Sequence, residues 1–375
     1  MKYFAAMEDY RKQGYVKHKM INIIAISIAA VICGAEDWYD IEDYGKEKYE
    51  WLKTFLDLSD GVPSHDTYNR FFSFANPEAL EGCFEDWINA IANLSEGRII
   101  SIDGKTLRGS KGADRDTFIH MVSAWCNANN LVLAQQKVDD KSNEITAIPV
   151  LLELLVLKGC IITIDAMGCQ KEIAEKIADK EADYILAVKG NQKFLLDDIE
   201  EAFSNARADD EYTHKEVDHG RIETRTTQII TDLDWICSRQ DWKKLYCIIR
   251  VFCSRINKKT GVKEEALRYY ISSKKGTAKY FNHAIRAHWG IENKLHWMLD
   301  VTFGEDNSKK QAENAAQNFS LISKIALNMI RNLPHDLTRG SKVISAKRKR
   351  KMAAWNNKYL LNILLSFNPH ESNTI

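Results

Sequence analysis

Arg98-Ile99-Ile100-Ser101-Ile102-Asp103 and Cys160-Ile161-Ile162-Thr163-Ile164-Asp165 are two apolar, β-branched runs that each end in an aspartate. Runs of this length and composition read as buried strands, so each acid sits where the chain leaves a sheet for solvent. Open α/β sheets place their chemistry at that edge. Far downstream, Glu292 stands in the amphipathic helical stretch His288-Trp289-Gly290-Ile291-Glu292-Asn293. Three carboxylates brought together repel, at roughly 4 kcal/mol for each pair ~4 Å apart in an effective dielectric near 20. A divalent cation removes that cost, so the set predicts a metal site.

Around these runs the pattern gives strands over 99–103, 118–126 and 131–138, a helix over 147–157, a strand over 160–165, a helix over 170–179, a strand over 184–188 and a helix over 193–203. The order β-β-β-α-β-α-β-α, making a mixed sheet, is that of the RNase H-like α/β fold. In that order the first and fourth strands pair in parallel, which puts Asp103 beside Asp165. A β-rich insertion is expected at about 211–273, followed by helices over 279–299 and 311–332. Residues 1–96 read as helical. Within them, short helices over 65–74 and 79–92 follow the cap signals Pro63-Ser64 and Asn76-Pro77. They form either a DNA-reading helix-turn-helix or a small bundle packed on the next domain. The expected division is a helical domain 1–96, a catalytic domain 97–332 and a basic tail 333–375.

The eight cysteines contain no CxxC pair and mostly sit in apolar runs, the pattern of free thiols in a reducing cytoplasm. Met20 to Ala35 is apolar but carries Asn22 and Ser27 and falls short of the ~18 to 20 residues that span a bilayer. A core helix, with no membrane partner and no signal peptide, is the expectation. Zero net charge hides an asymmetry: Ala35 to Asp60 holds nine acids and three bases, whereas Asn307 to Lys358 holds twelve Lys/Arg and two acids. The C-terminal part is therefore a candidate for polyanion contact, through Lys347, Arg348, Lys349 and Arg350 of the run 346–351.

Lys105 and Arg108 follow Asp103 within Asp103-Gly104-Lys105-Thr106-Leu107-Arg108 and suit phosphate oxygens. Asp-Gly is also a turn signal. His288, Glu292 and His296 are spaced i, i+4, i+8 and would share one helical face, with Glu292 an oxygen ligand and the histidines partners of phosphate or of the ligands. The HExxH spacing of a zinc protease is absent. Lys189-Gly190-Asn191-Gln192 opens a helix after a strand and reads as an anion-binding turn or an ordinary cap. Arg221, in Asp218-His219-Gly220-Arg221-Ile222-Glu223-Thr224-Arg225, belongs to a charged hairpin that either is solvated or reaches DNA.

At these stretches, together with Asp165-Ala166-Met167-Gly168-Cys169-Gln170, Ala187 to Gln192, and His288 through Asp306, the chain resembles the H repeat-associated transposases, insertion-sequence enzymes of the DDE type related to the insertion-sequence-four group. Gly61-Val62-Pro63-Ser64-His65-Asp66-Thr67 is similar to that family's N-terminal domain. The resemblance implies a DDE triad at Asp103, Asp165 and Glu292, Mg²⁺ or Mn²⁺ as cofactor, and double-stranded DNA as partner. It also implies action at element ends by cleavage and strand transfer, and bringing two ends together suggests a homodimer. A nuclease without strand transfer and an immobile DNA-binding remnant are the alternatives. The Tyr-Arg-Glu-Lys signature of the insertion-sequence-four group is not present: its positions hold Ile285, His288, Glu292 and Leu299.

Overall fold

The computed structural model describes residues 2–92, 96–111, 118–139, 142–218, 220–333 and 344–366. The chain opens with helices α1 (Met20–Cys33), α2 (Trp38–Glu47), α3 (Tyr49–Leu52), α4 (His65–Phe74) and α5 (Pro77–Ile91). Almost every side chain of α1 is buried, which is why its sequence is apolar all round and not amphipathic. No single helix among the described residues is long and apolar enough to cross a membrane. Asn76 caps α5 by accepting from Ala79 N at 2.9 Å, with Pro77 in the first turn. Tyr68, Phe71 and Phe72 of α4 and Leu80, Phe84 and Trp87 of α5 join the same apolar core as the central sheet, so the pair behaves as a packed bundle.

Strands β1 (Ile99–Leu107), β2 (Ile119–Cys126), β3 (Leu131–Lys137), β4 (Ile161–Ile164) and β5 (Asp183–Val188) alternate, after β3, with α6 (Glu144–Glu153), α7 (Lys171–Asp179) and α8 (Lys193–Asn205). The insertion contributes β6 (Asp210–Asp218), β7 (Arg221–Ile230), β8 (Cys247–Asn257) and β9 (Lys263–Ser272). All of these form one mixed sheet in the order β3-β2-β1-β4-β5-β9-β8-β7-β6. The insertion therefore extends the central sheet, because β9 pairs antiparallel with the free edge of β5 (Ile185 opposite Ser272).

Beyond the sheet lie α9 (Ala278–Gly290), α10 (Trp297–Phe303) and α11 (Ala315–Arg331). The helix expected over 279–299 is present as one unbroken helical run from Ala278 to Phe303, in which a π-helical turn at Ile291–His296 joins α9 to α10. The described C-terminal residues are not a tail. They form α12 (Ala346–Trp355) and α13 (Asn357–Leu365), whose Ala353, Tyr359, Leu360 and Ile363 enter the core. Residues 334–343 and 367–375 of the expected tail, and His219 of the hairpin, lie outside the described residues.

The basic run 346–351 is divided by helical periodicity. Arg350 is buried and donates to the carbonyls of Val31 and Thr302, with its guanidinium 4.3 Å from the Phe303 ring centroid. Lys349 Nζ donates to Ile330 O at 2.9 Å. These are last-turn carbonyls of α1, α10 and α11, the groups a helix leaves unsatisfied and a cation completes. Arg350 and Lys349 are therefore helix-end braces, with their cations turned toward backbone carbonyls. Lys347 and Arg348 remain exposed.

Candidate active site

Parallel pairing of β1 and β4 sets Ile102 opposite Ile164, so the next residue of each strand is an aspartate beside an aspartate. Asp165 leaves the sheet where β4 ends. Asp103 does not: Asp103-Gly104 runs on through β1, paired with Ser123 and Val122 of β2, and no turn forms there. The Asp165 carboxylate accepts from Met167 N at 3.0 Å. Its loop is tied down from the next strand end, where Asn191 Nδ2 donates to Ala166 O (2.7 Å) and Gln192 Nε2 to Cys169 O (2.9 Å). The Lys189–Gln192 turn thus braces the Asp165 loop, and Lys189 itself is exposed with its charge favouring the Asp165 carboxylate.

Glu292 is exposed on the π-helical turn. Such turns are rare and widen the helix by one residue per turn, which rotates the residues C-terminal to the turn. His288, Glu292 and His296 consequently do not share one stripe. His288 Nδ1 lies 2.9 Å from Thr163 Oγ1, below the aspartates, where Thr163 Oγ1 (3.1 Å) and Asn127 Nδ2 (2.8 Å) both donate to Ser101 Oγ. His296 Nδ1 lies 3.5 Å from Asp103 Oδ2. Burial pushes His288 down to about 4, and burial followed by the Lys105 and Lys324 charges pushes His296 down to about 3. In both cases burial favours the neutral imidazole.

The three acids feel one another. Asp103 is pushed up to about 8 by burial, then by Asp165, Glu144 and Glu292. Asp165 rises by burial and then by Glu144. Glu292 rises by burial and by Asp165, while Arg268, stacked 5.1 Å from the Trp289 ring centroid, opposes the rise.

Lys105 departs from expectation. Alternation along β1 puts it on the Asp103 face, toward α10, where it is nearly buried in ion pairs with Asp300 and Glu305. It holds α10 and the following turn to β1 and presents no free ammonium to phosphate. Arg108 is three-quarters exposed, with a loose ion pair to Asp306 at 3.8 Å, and Arg221 is exposed on β7. Next to Arg221, Glu223 pairs with Arg225 (2.5 Å) and Arg255 (2.8 Å), and Arg225 is buried against Asn282 of α9.

Two residues at the site gave no signal in the sequence. Glu144 is the first residue of α6, capped by Asn143, and reads as a routine helix start that the expected helix (147–157) omitted. His120 lies on β2 directly opposite Thr106. His120 Nε2 is 2.6 Å from Glu144 Oε1, and its Nδ1 is 3.0 Å from Thr106 Oγ1.

Among the described residues, no three His, Cys, Asp or Glu side chains stand close enough together to enclose an ion as they lie. The donor chemistry still fits a hard divalent cation: carboxylate oxygens whose charges oppose one another, with exposed Glu292 free to turn. Mg²⁺ in particular takes one or two carboxylates, with waters and substrate phosphate completing its shell.

Residues 94–329 match the transposase DDE domain, and residues 1–88 match the domain associated with it. The chain is 46% identical over 374 residues to the protein named "Putative transposase YncI" of Escherichia coli O157:H7, covering 97% of this chain and 94% of that one. It is 43% identical over 375 residues to "H repeat-associated putative transposase YhhI" of Escherichia coli K12, covering 97% of each. With likeness running nearly end to end, and all three acids inside the matched domain, the chain belongs to the DDE transposases, among the H repeat-associated proteins, and is an insertion-sequence transposase.

Proposed function

We propose that Asp103, Asp165 and Glu292 form the catalytic triad of an RNase H-like domain that cleaves double-stranded DNA at the element ends and joins the freed end to target DNA. The observation that carries this reading is the register of β1 on β4, which sets two acids side by side within reach of the charge of a third. The triad would hold Mg²⁺ or Mn²⁺. Bound there, such ions supply activation of water or of a DNA 3′-hydroxyl and stabilisation of the leaving oxygen.

The remaining groups keep the carboxylates in position. His296 abuts Asp103, His288 and Thr163 fasten α9 to β4, and Asn191 and Gln192 fix the loop that carries Asp165. Exposed Arg108, Lys189, Arg221, Lys347 and Arg348 would offer cations to DNA phosphates, each neutralised phosphate adding about 0.9 to the salt slope. Two element ends processed together call for two active sites, hence a homodimer acting on DNA in the cytoplasm.

The test is full-length enzyme with Asp165→Asn, assayed with Mg²⁺ on a duplex bearing the element end. Cleaved and joined products should both fall by roughly a thousandfold or more. Cleavage that survives unaltered would overturn the site. Native enzyme that nicks and never joins would make the chain a nuclease.

A further inference from the structure

Gly104 lies in β1 directly after Asp103, and a Cβ there would overlap Glu144 Oε1 and crowd His120 Nε2. Alternation puts Gly104 and Thr106 on the sheet face opposite Asp103 and Lys105. The Glu144 carboxylate therefore presses on the bare backbone of β1 from the far side of the strand, next to the first aspartate. An acid in the first turn of a helix is ordinarily explained by the helix dipole. That explanation accounts neither for the imidazole 2.6 Å from Glu144 nor for Thr106 behind that imidazole, 3.0 Å from its other nitrogen.

We propose that Glu144 is a fourth acid of the active site, sharing with Asp103 and Asp165 the holding of a divalent cation, and that His120, backed by Thr106, is the positioning residue that aims it. Glu292 comes to the aspartates from the α9–α10 side of the sheet, and Glu144 comes from the α6 side. The site then draws on both faces of β1, and Gly104 is the opening that lets the second face in. This rests on the triad reading above.

The test is binding of Mn²⁺ alone to the full-length protein without DNA, followed by calorimetry or by the electron paramagnetic resonance of the free ion. Glu144→Gln should weaken binding at least about tenfold, the scale on which ligands and their supporting partners act. Gly104→Ala, which displaces the same carboxylate and leaves it charged, should weaken binding in the same direction. His120→Ala should weaken binding several-fold in the native background and have no further effect beside Glu144→Gln, because the two act as one unit. Mn²⁺ affinity unchanged within twofold in folded Glu144→Gln, while Asp165→Asn loses binding, would overturn this proposal and leave the triad standing. Retention of binding in Asp165→Asn would remove the triad reading itself. Additive losses for His120→Ala and Glu144→Gln would remove the positioning role.

Discussion

At the scale of single residues, lysine beside the first aspartate separates two kinds of cation near a site. A Lys that serves phosphate keeps its ammonium in solvent, whereas Lys105 is nearly buried between Asp300 and Glu305. Removing one partner from a buried ion pair leaves an uncompensated charge, at about 3 to 5 kcal/mol. Lys105→Ala should therefore lower stability on that order, read as a shift of the urea midpoint with an unchanged slope. The salt slope of DNA binding should stay where it was. Arg108→Ala should do the opposite, since that side chain is three-quarters exposed. Nothing in Asp103-Gly104-Lys105-Thr106-Leu107-Arg108 distinguishes the two cations, because the difference is made by α10, almost two hundred residues away.

At the scale of elements, what was legible in the chain is what local pattern encodes. The β-branched runs gave β1 and β4, and their parallel pairing followed from element order and brought Asp103 to Asp165. Glu292 was legible as a helical acid, but the π-helical turn that aims it was not, since no residue type marks a change from four-residue to five-residue hydrogen bonding. Glu144 stayed hidden behind a cap signal that was real, as Asn143 does accept from Ile145 N. The insertion was legible as β-rich, but period-two alternation says nothing about which edge a strand joins, here that of β5. It is locked to α9, the helix that leads into the Glu292 turn, through Arg225, held by Glu223 on one side and Asn282 of α9 on the other. Burial raises Glu223, but the hydrogen bonds and charges of Arg225 and Arg255 win and bring it down to about 2. A depressed acid contributes stability above its unfolded value of 4.5 and loses that contribution as pH falls toward 2. Glu223→Gln should then cost about 1 to 3 kcal/mol at pH 7, since Arg225 is left buried, and the gap from native should close between pH 4.5 and 2 in thermal melts.

At the scale of the whole molecule, the N-terminal helices, the sheet and the C-terminal helices share one apolar core that runs from Phe4 to Ile363. Charge composition suggested a basic tail, because a count of lysines and arginines does not register which of them helical periodicity turns inward. Arg350 and Lys349 complete the carbonyl ends of α1, α10 and α11, so the last helices are joined to the first and to the one that follows the glutamate. Truncation after residue 343 would strip Ala353, Tyr359, Leu360 and Ile363 from that core and uncover α1. At roughly 1.5 to 3 kcal/mol for each large apolar side chain, this loss approaches the 5 to 15 kcal/mol that holds an ordinary domain together. The truncated chain should melt far below the full-length protein or aggregate on expression, where removal of a mere tail would leave the melting temperature alone and weaken only DNA binding. Lys347→Gln with Arg348→Gln supplies the contrast: both side chains are exposed, so the melting temperature should hold while the salt slope drops by up to about 0.9 for each phosphate no longer neutralised. A truncated protein that melts like the native one would show the C-terminal helices to be independent of the core.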